Sequence, residues 1–274
     1  MRRRMSMKKN YVIETIRKAK MVELLAMGKR LDERTPDQHR PITIQTGVIQ
    51  KANGSAIVTL GNTEVIAGVK IATGTPFPDT PDKGLLVVNT EILPMSSPYA
   101  EPGPPSEDAI ELARVVDRGI RESEMVNLKK LCLVEGKMVY TVFADVNIMN
   151  VDGNLFDATS YAVVSALRTA KMKKYVVEND KLVAKDDLIP LPIERIPVSV
   201  TLARIGNTLV VDPNSEEECA MDMRITITTD DDGNICASQK GEASTITPAQ
   251  VLEAADTSIR IGRDIRAQIL EATK

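Results

Sequence analysis

The sequence predicts an α+β protein built as two lobes. A long period-two stretch from Met138 runs into a turn and then an apolar helix reaching Arg168, so one strand and one helix share a core. Two Gly-Asn dipeptides, Gly61-Asn62 and Gly206-Asn207, each separate strand-like runs and read as tight hairpins, one in each half of the chain. Helices and strands otherwise come in clusters and not in regular βαβ alternation. The charged, then proline-rich stretch Lys171–Pro197 is the natural boundary between the halves. The expected division is 1–28 for an N-terminal tail and helix, 29–195 for the first lobe and 196–274 for the C-terminal lobe.

Met1 to Lys9 is basic and lacks hydrophobic periodicity, as a solvated tail does. A helix is expected from about Tyr11 to Met27, with Gly28 as its stop. Its apolar positions are Ile13, Ile16, Ala19, Met21, Leu24 and Leu25. A strand follows near Ile42–Gln45, then the first hairpin, Ser55–Leu60 and Thr63–Ile71. Thr73–Lys83 reads as a surface loop, Leu85–Leu93 as a strand and Pro94–Pro105 as a proline-rich connector. Ser106 can cap a helix whose first turn holds Glu107 and Asp108, where acids suit the helix dipole. Its expected core stripe is Ile110, Ala113, Val116 and Ile120. Arg114, Arg118 and Arg121 share one face of it. That spacing suits a surface laced by the pairs Asp117–Arg121 and Arg118–Glu122, or a row of guanidinium groups for a phosphate backbone.

Leu128–Leu133 reads as a strand and Glu135-Gly136 as a turn. In the central strand, Tyr140, Val142, Ala144, Val146 and Ile148 form an apolar face. Val151-Asp152-Gly153-Asn154 breaks the alternation with turn chemistry, and Asp157 is expected to cap a helix from Ala158 to about Lys171. A helix start favours anions, yet Asn154-Leu155-Phe156 offers no cation and lies between Asp152 and Asp157. Val198–Ile205 and Thr208–Val211 make the second hairpin. After an acidic loop, Arg224–Thr228 pairs with Ile235–Lys240 across Asp230-Asp231-Asp232-Gly233-Asn234. That acidic turn lacks an EF-hand's ligand order, since Gln239 stands where the closing Glu belongs. Thr247-Pro248-Ala249-Gln250 is a capping box with proline at its first helical position, opening a last helix to about Ala272.

With 274 residues, 43% of them hydrophobic, the chain can bury a substantial core. No apolar run is long enough to span a membrane and no secretory h-region follows the basic start, so a cytoplasmic protein is expected. Cys132, Cys219 and Cys236 have no metal-ligand spacing and suggest free thiols. His39, the single histidine, lies in a polar, proline-flanked stretch and is expected at the surface, which leaves a zinc site or a histidine triad unsupported. No metal and no cofactor are expected. A net charge of −3 excludes a globally basic nucleic-acid binder but not a local basic patch. Walker, dinucleotide-binding and nucleophile-elbow motifs are absent.

These residues resemble the RNase PH family. Gly54-Ser55-Ala56 through Gly61-Asn62-Thr63-Glu64-Val65-Ile66-Ala67 is similar to its first hairpin. Arg30-Leu31-Asp32-Glu33-Arg34 resembles its Arg-x-Asp-Gly-Arg motif, with Glu33 where glycine is usual. Leu112–Arg121 resembles its arginine-bearing helix, and Asp145–Leu167 its central strand, turn and helix. Val210-Val211-Asp212-Pro213 and Asp222 resemble its second lobe. The resemblance spans about Gly28 to Ala272. It is closest to the non-catalytic RNase PH-like branch of the archaeal exosome, through Glu101-Pro102-Gly103-Pro104-Pro105 and Ile110–Arg118.

The resemblance implies an RNase PH-like fold whose first lobe is ribosomal protein S5 domain 2-like. It implies partners as well: an active RNase PH-like exosome subunit in an alternating three-plus-three ring, RNA-binding cap subunits, and single-stranded RNA shortened from its 3′ end by phosphate. No membrane partner is implied. Arg114 and Arg118 are the implied RNA-binding residues, and Arg121 stays with the surface ion pair. No catalytic residue is expected. Active relatives hold phosphate on a turn that carries arginine where Phe156 stands here. They place two adjacent arginines where Glu107 and Asp108 stand. One unit charge at ~5 Å is worth about 3 kcal/mol at an effective dielectric near 20, so two reversals weigh against phosphate. Their catalytic acid, counted back from Asp222, falls on Glu216. The alternative is an active phosphate-dependent 3′→5′ exoribonuclease using Asp222 and Glu216; an unrelated small-molecule enzyme would need a pocket of convergent polar groups.

Overall fold

Alternation in the central strand is realised in full. Tyr140, Val142, Ala144, Val146 and Ile148 all join the main core, with Val142, Ala144 and Ile148 at 0% exposure. The computed structural model describes residues 11–97, 100, 102–178 and 181–274. The basic tail Met1–Lys9 and Glu101 of the proline-rich motif lie outside the described residues.

In chain order the elements are α1 (Tyr11–Ala26), β1 (Ile42–Thr46), β2 (Gly54–Leu60), β3 (Thr63–Gly74), β4 (Leu85–Ile92), α2 (Glu107–Glu122), β5 (Cys132–Val134), β6 (Met138–Asn150) and α3 (Leu155–Arg168). Then come β7 (Lys171–Glu178), β8 (Lys181–Pro190), β9 (Val198–Ile205), β10 (Thr208–Val211), α4 (Ser215–Ala220), β11 (Met223–Thr229), β12 (Ile235–Gly241) and α5 (Pro248–Ala272). The first sheet has the order β1-β2-β3-β6-β4, with β5 also on β6. Strand β6 runs antiparallel to β3 and parallel to β4. The second sheet is β10-β9-β11-β12, antiparallel throughout. Both Gly-Asn hairpins form.

The two faces of the second sheet differ in chemistry. Ser199, Thr201, Thr226 and Thr228 face the helices of the first lobe: Ser199 Oγ lies 3.1 Å from Ser160 Oγ of α3, and Gly119 of α2 abuts Thr228. Thr229 belongs to the opposite face by alternation, and there it meets Gly262 and Arg266 of α5. Helices α2 and α3 therefore lie between the two sheets, and α5 covers the far side of the second. A smaller apolar cluster, Met21, Leu25, Ala203, Ile205, Val210 and Ala220, docks α1 and α4 near one end of that sheet.

Several local expectations shift. Residues Leu128–Leu131 form a 3-10 turn, because Asn127 caps it by accepting from the Lys130 amide at 3.1 Å; only Cys132–Val134 is strand. The buried stripe of α2 is Ala109, Leu112, Val115, Val116, Gly119 and Ile120, one position off the expected phase at its start, and Ile110 is 49% exposed. The expected lobe boundary contains the β7–β8 hairpin, which paired strands claim up to Pro190. The acidic loop holds helix α4, nucleated by a capping box between Asn214 and Glu217.

Candidate functional site: the turn before α3 and the arginine face of α2

The turn from β6 into α3 is tighter than the sequence suggests. Gly153 has φ +77°, and a Cβ there would lie 2.5 Å from the Asn214 carbonyl carbon, so the turn abuts the start of α4. Asn154, at φ +51°, is the true N-cap, because asparagine tolerates the left-handed region and starts the helix earlier. Asp157 is therefore not a cap. It sits inside the first helical turn, wholly buried, and reaches the other sheet. Its carboxylate accepts from the Thr201 amide at 2.9 Å, Thr201 Oγ1 at 2.7 Å and Asn154 Nδ2 at 2.8 Å. Burial pushes this carboxyl up to about 7, against the pull of those donors.

Beside it, Asp212 is fully buried at φ +51°. It receives Arg40 on both carboxylate oxygens at 2.8 Å, Arg34 at 3.1 Å and Asn154 Nδ2 at 2.7 Å. Burial opposes ionisation of Asp212, but these donors and the adjacent cations hold it well below the usual carboxylate range. Arg40 also donates to the backbone carbonyl of Asp152 at 2.6 Å. Glu33 takes φ +66°, the conformation for which glycine is usual at that point of the motif. The expectation of a surface His39 fails. Its side chain is 11% exposed, its Nδ1 lies 2.8 Å from the Arg40 carbonyl, and its ring centroid is 6.2 Å from that of Tyr161. Burial pushes its pKa down.

The three consecutive glutamates diverge. Glu216 is exposed and pairs with Arg17 at 3.3 Å. Glu217 is buried against Arg30, which donates to its Oε1 at 2.7 Å. Glu218 accepts the Asn154 amide at 2.8 Å. Asp222 lies elsewhere: it pairs with Lys18 of α1 at 2.5 Å and accepts the Gly206 amide at 2.9 Å. Neither Glu216 nor Asp222 hydrogen-bonds to the turn, so the acids that the sequence would group there are not brought together.

On α2, Arg114 and Arg118 are exposed. Arg118 donates to Gln239 of β12 at 2.9 Å, in place of the expected pair with Glu122. Arg114 makes no hydrogen bond or ion pair among the described residues. Arg121 does form the expected pair with Asp117, at 2.9 Å, and donates to the Leu86 carbonyl. From β11, Arg224 lies 3.9 Å from the Phe156 ring centroid and pairs with Glu111 of α2 at 2.9 Å. Arg40, Arg224, Asp212 and Glu218 are thus neighbours of the turn that spacing in the sequence does not signal. Only the Val-Val-Asp-Pro motif hinted at Asp212. What this arrangement can do chemically is limited, because the Asn154 amide, Arg40 and Arg224 are each already engaged by an acid within the chain.

Residues 38–173 match the family model described as 3′ exoribonuclease family, domain 1, and residues 195–261 match domain 2. The chain is 48% identical over 263 residues to the exosome complex component Rrp42 of Thermococcus gammatolerans, covering 95% of this chain and 96% of that protein. It is also 48% identical over 270 residues to the exosome complex component Rrp42 of Pyrococcus horikoshii, covering 98% of each. Among solved structures, a chain of the Archaeoglobus fulgidus exosome with RNA bound to the active site superposes with a TM-score of 0.86 at 43% identity, covering 94% of this chain and 99% of that one.

Proposed function

Since this chain belongs to the 3′ exoribonuclease (RNase PH) family, we propose that it is a non-catalytic subunit of an exosome ring, one that scaffolds an active RNase PH-like partner and lends Arg114 and Arg118 to RNA during 3′→5′ phosphorolytic degradation. In this reading the ring alternates three copies of each subunit, RNA-binding caps sit on it, and the assembly works in the cytoplasm. The two lobes, 29–195 and 196–274, form one framework for the ring contacts.

One observation carries the non-catalytic reading: the amide and the two guanidinium groups at the turn before α3 are engaged by the protein's own acids. The Asn154 amide is engaged by Glu218, Arg40 by Asp212, and Arg224 by Glu111 and the Phe156 ring. Phosphoryl-transfer sites work by aiming such donors at phosphate oxygens. The competing reading, catalysis by Asp222 and Glu216, meets a further obstacle, since α1 pairs both acids with cations. An exposed Arg114, and an exposed Arg118 whose partner among the described residues is the Gln239 side chain, suit contacts to RNA phosphates that are independent of sequence.

The test is direct. Purified chain with inorganic phosphate and single-stranded RNA is expected to release no nucleoside diphosphate, and the pair reconstituted with an active partner is expected to release it. Nucleoside diphosphate from this chain alone, free of active homologue, would refute inactivity.

A further inference from the structure

The start of α3 has the makings of an anion site. The helix has 14 residues, and its dipole favours negative charge at the first turn. The Asn154 amide donates to Glu218, and cations border the turn from two other parts of the chain: Arg40, from the segment before β1, on the Asp152 carbonyl, and Arg224, from β11, over the Phe156 ring. An anion is already there. It is the carboxylate of Glu218, delivered by α4, whose Oε1 accepts the Asn154 amide at 2.8 Å. Burial pushes the Glu218 carboxyl up, as does the charge of Asp212, while the Asn154 amide and the charges of Arg224 and Arg40 pull it back. The placement of α4 is itself rigid. Its capping box fixes Asn214 and Glu217, Glu217 is buried on Arg30, and Gly153 packs against Asn214. Glu218 is one residue beyond that anchor and has little freedom to leave.

We propose that Glu218 is a built-in anion that occupies and closes an oxyanion niche formed by the Asn154 amide, Arg40 and Arg224, so that inorganic phosphate is excluded by the chain's own carboxylate. This deepens the non-catalytic reading and rests on it. The turn's own residues offer no cation, as the sequence shows; the cations come from distant parts of the chain, and a glutamate answers them.

The test is a calorimetric titration of inorganic phosphate into the full chain. Wild type is expected to bind weakly, and Glu218→Ala about tenfold or more tightly than wild type. Adding Arg224→Ala to Glu218→Ala is expected to abolish the gain. Glu218→Ala is not expected to degrade RNA, since Glu216 and Asp222 stay paired with Arg17 and Lys18 of α1. A folded Glu218→Ala chain that binds phosphate no better than wild type overturns the proposal. Should Glu218→Ala fail to fold, Glu218→Gln keeps the side chain's volume and an acceptor. The Asn154 amide resonance should then shift with pH in wild type, following Glu218, and lose that component in Glu218→Gln. Identical titration of that amide in both chains overturns the proposal as well. The proposed function fails separately, on nucleoside diphosphate released from RNA by the wild-type chain, whichever way the phosphate titration goes.

Discussion

At the scale of single residues, the buried acids decide stability. Asp212 sits at 0% exposure between Arg34 and Arg40. Removing one partner of a buried ion pair leaves a charge uncompensated, which costs far more than the pair itself contributes. Asp212→Ala should therefore destabilise the chain by about 3–5 kcal/mol, read from urea unfolding. Because the Asp212 carboxyl is held low in the fold, its contribution is present above the ordinary aspartate pKa and is lost as pH falls through the folded value. Asp157 works in the opposite sense. Its folded pKa is raised to about 7, so its contribution is full below the ordinary aspartate value and fades as pH rises through about 7. Thermal melts from about pH 5 to about pH 8 should show wild type losing ground to Asp157→Asn as pH rises. A flat difference across that range would mean the carboxyl stays ionised, satisfied by Thr201 and Asn154.

At the scale of elements, the turn and the arginine helix each make a claim. Gly153 combines a left-handed φ with backbone packed against its α-carbon, so Gly153→Ala should cost about 2 kcal/mol or more and disturb α4 along with α3. Helix α2 presents Arg114 and Arg118 outward while its buried stripe holds it between the sheets. Reversing both charges should leave the fold intact and act on RNA alone. In the reconstituted ring, Arg114→Glu with Arg118→Glu should weaken RNA binding and flatten its dependence on salt by about 1.4 in the logarithmic slope, the loss of two single-strand phosphate contacts. Unchanged RNA affinity would remove these residues from the RNA path. Arg121, tied to Asp117 and to the Leu86 carbonyl, should tolerate substitution with little effect on RNA.

At the scale of the whole molecule, one apolar core runs through both lobes, and buried polar contacts join them as well. Ser160–Ser199, Asp157–Thr201 and the Arg40–Asp212 pair all cross between them. A joint of satisfied hydrogen bonds fixes one relative placement, since each buried group loses its partner when the lobes slide. A subunit that must present two faces to neighbours in a closed ring needs that fixed placement. Mixing the chain with an active RNase PH-like partner should shift its size-exclusion elution to that of a hexamer, and the chain alone should elute well short of it. Co-elution only as separate species would count against the ring. Among the described residues no helix is long and apolar enough to cross a membrane.

The sequence by itself determined most of the elements. Alternation in β6, the Gly-Asn hairpins, the Ser106 cap and the Thr247 capping box are signals carried by residues a few positions apart, and all of them formed where they were read. Local signals also misled where two fit equally well: Asn154 took the cap expected of Asp157, and the phase of α2 moved because Ala109 and Leu112 face the core better than Ile110 does. Only the tertiary structure decided which groups meet at the turn. Glu218 reaches the Asn154 amide across 64 residues of chain, and Arg224 reaches Glu111 across 113. Nothing in local spacing distinguishes Glu218 from Glu216 and Glu217; the direction each side chain takes follows from how α4 docks, and that is set by buried contacts between distant segments.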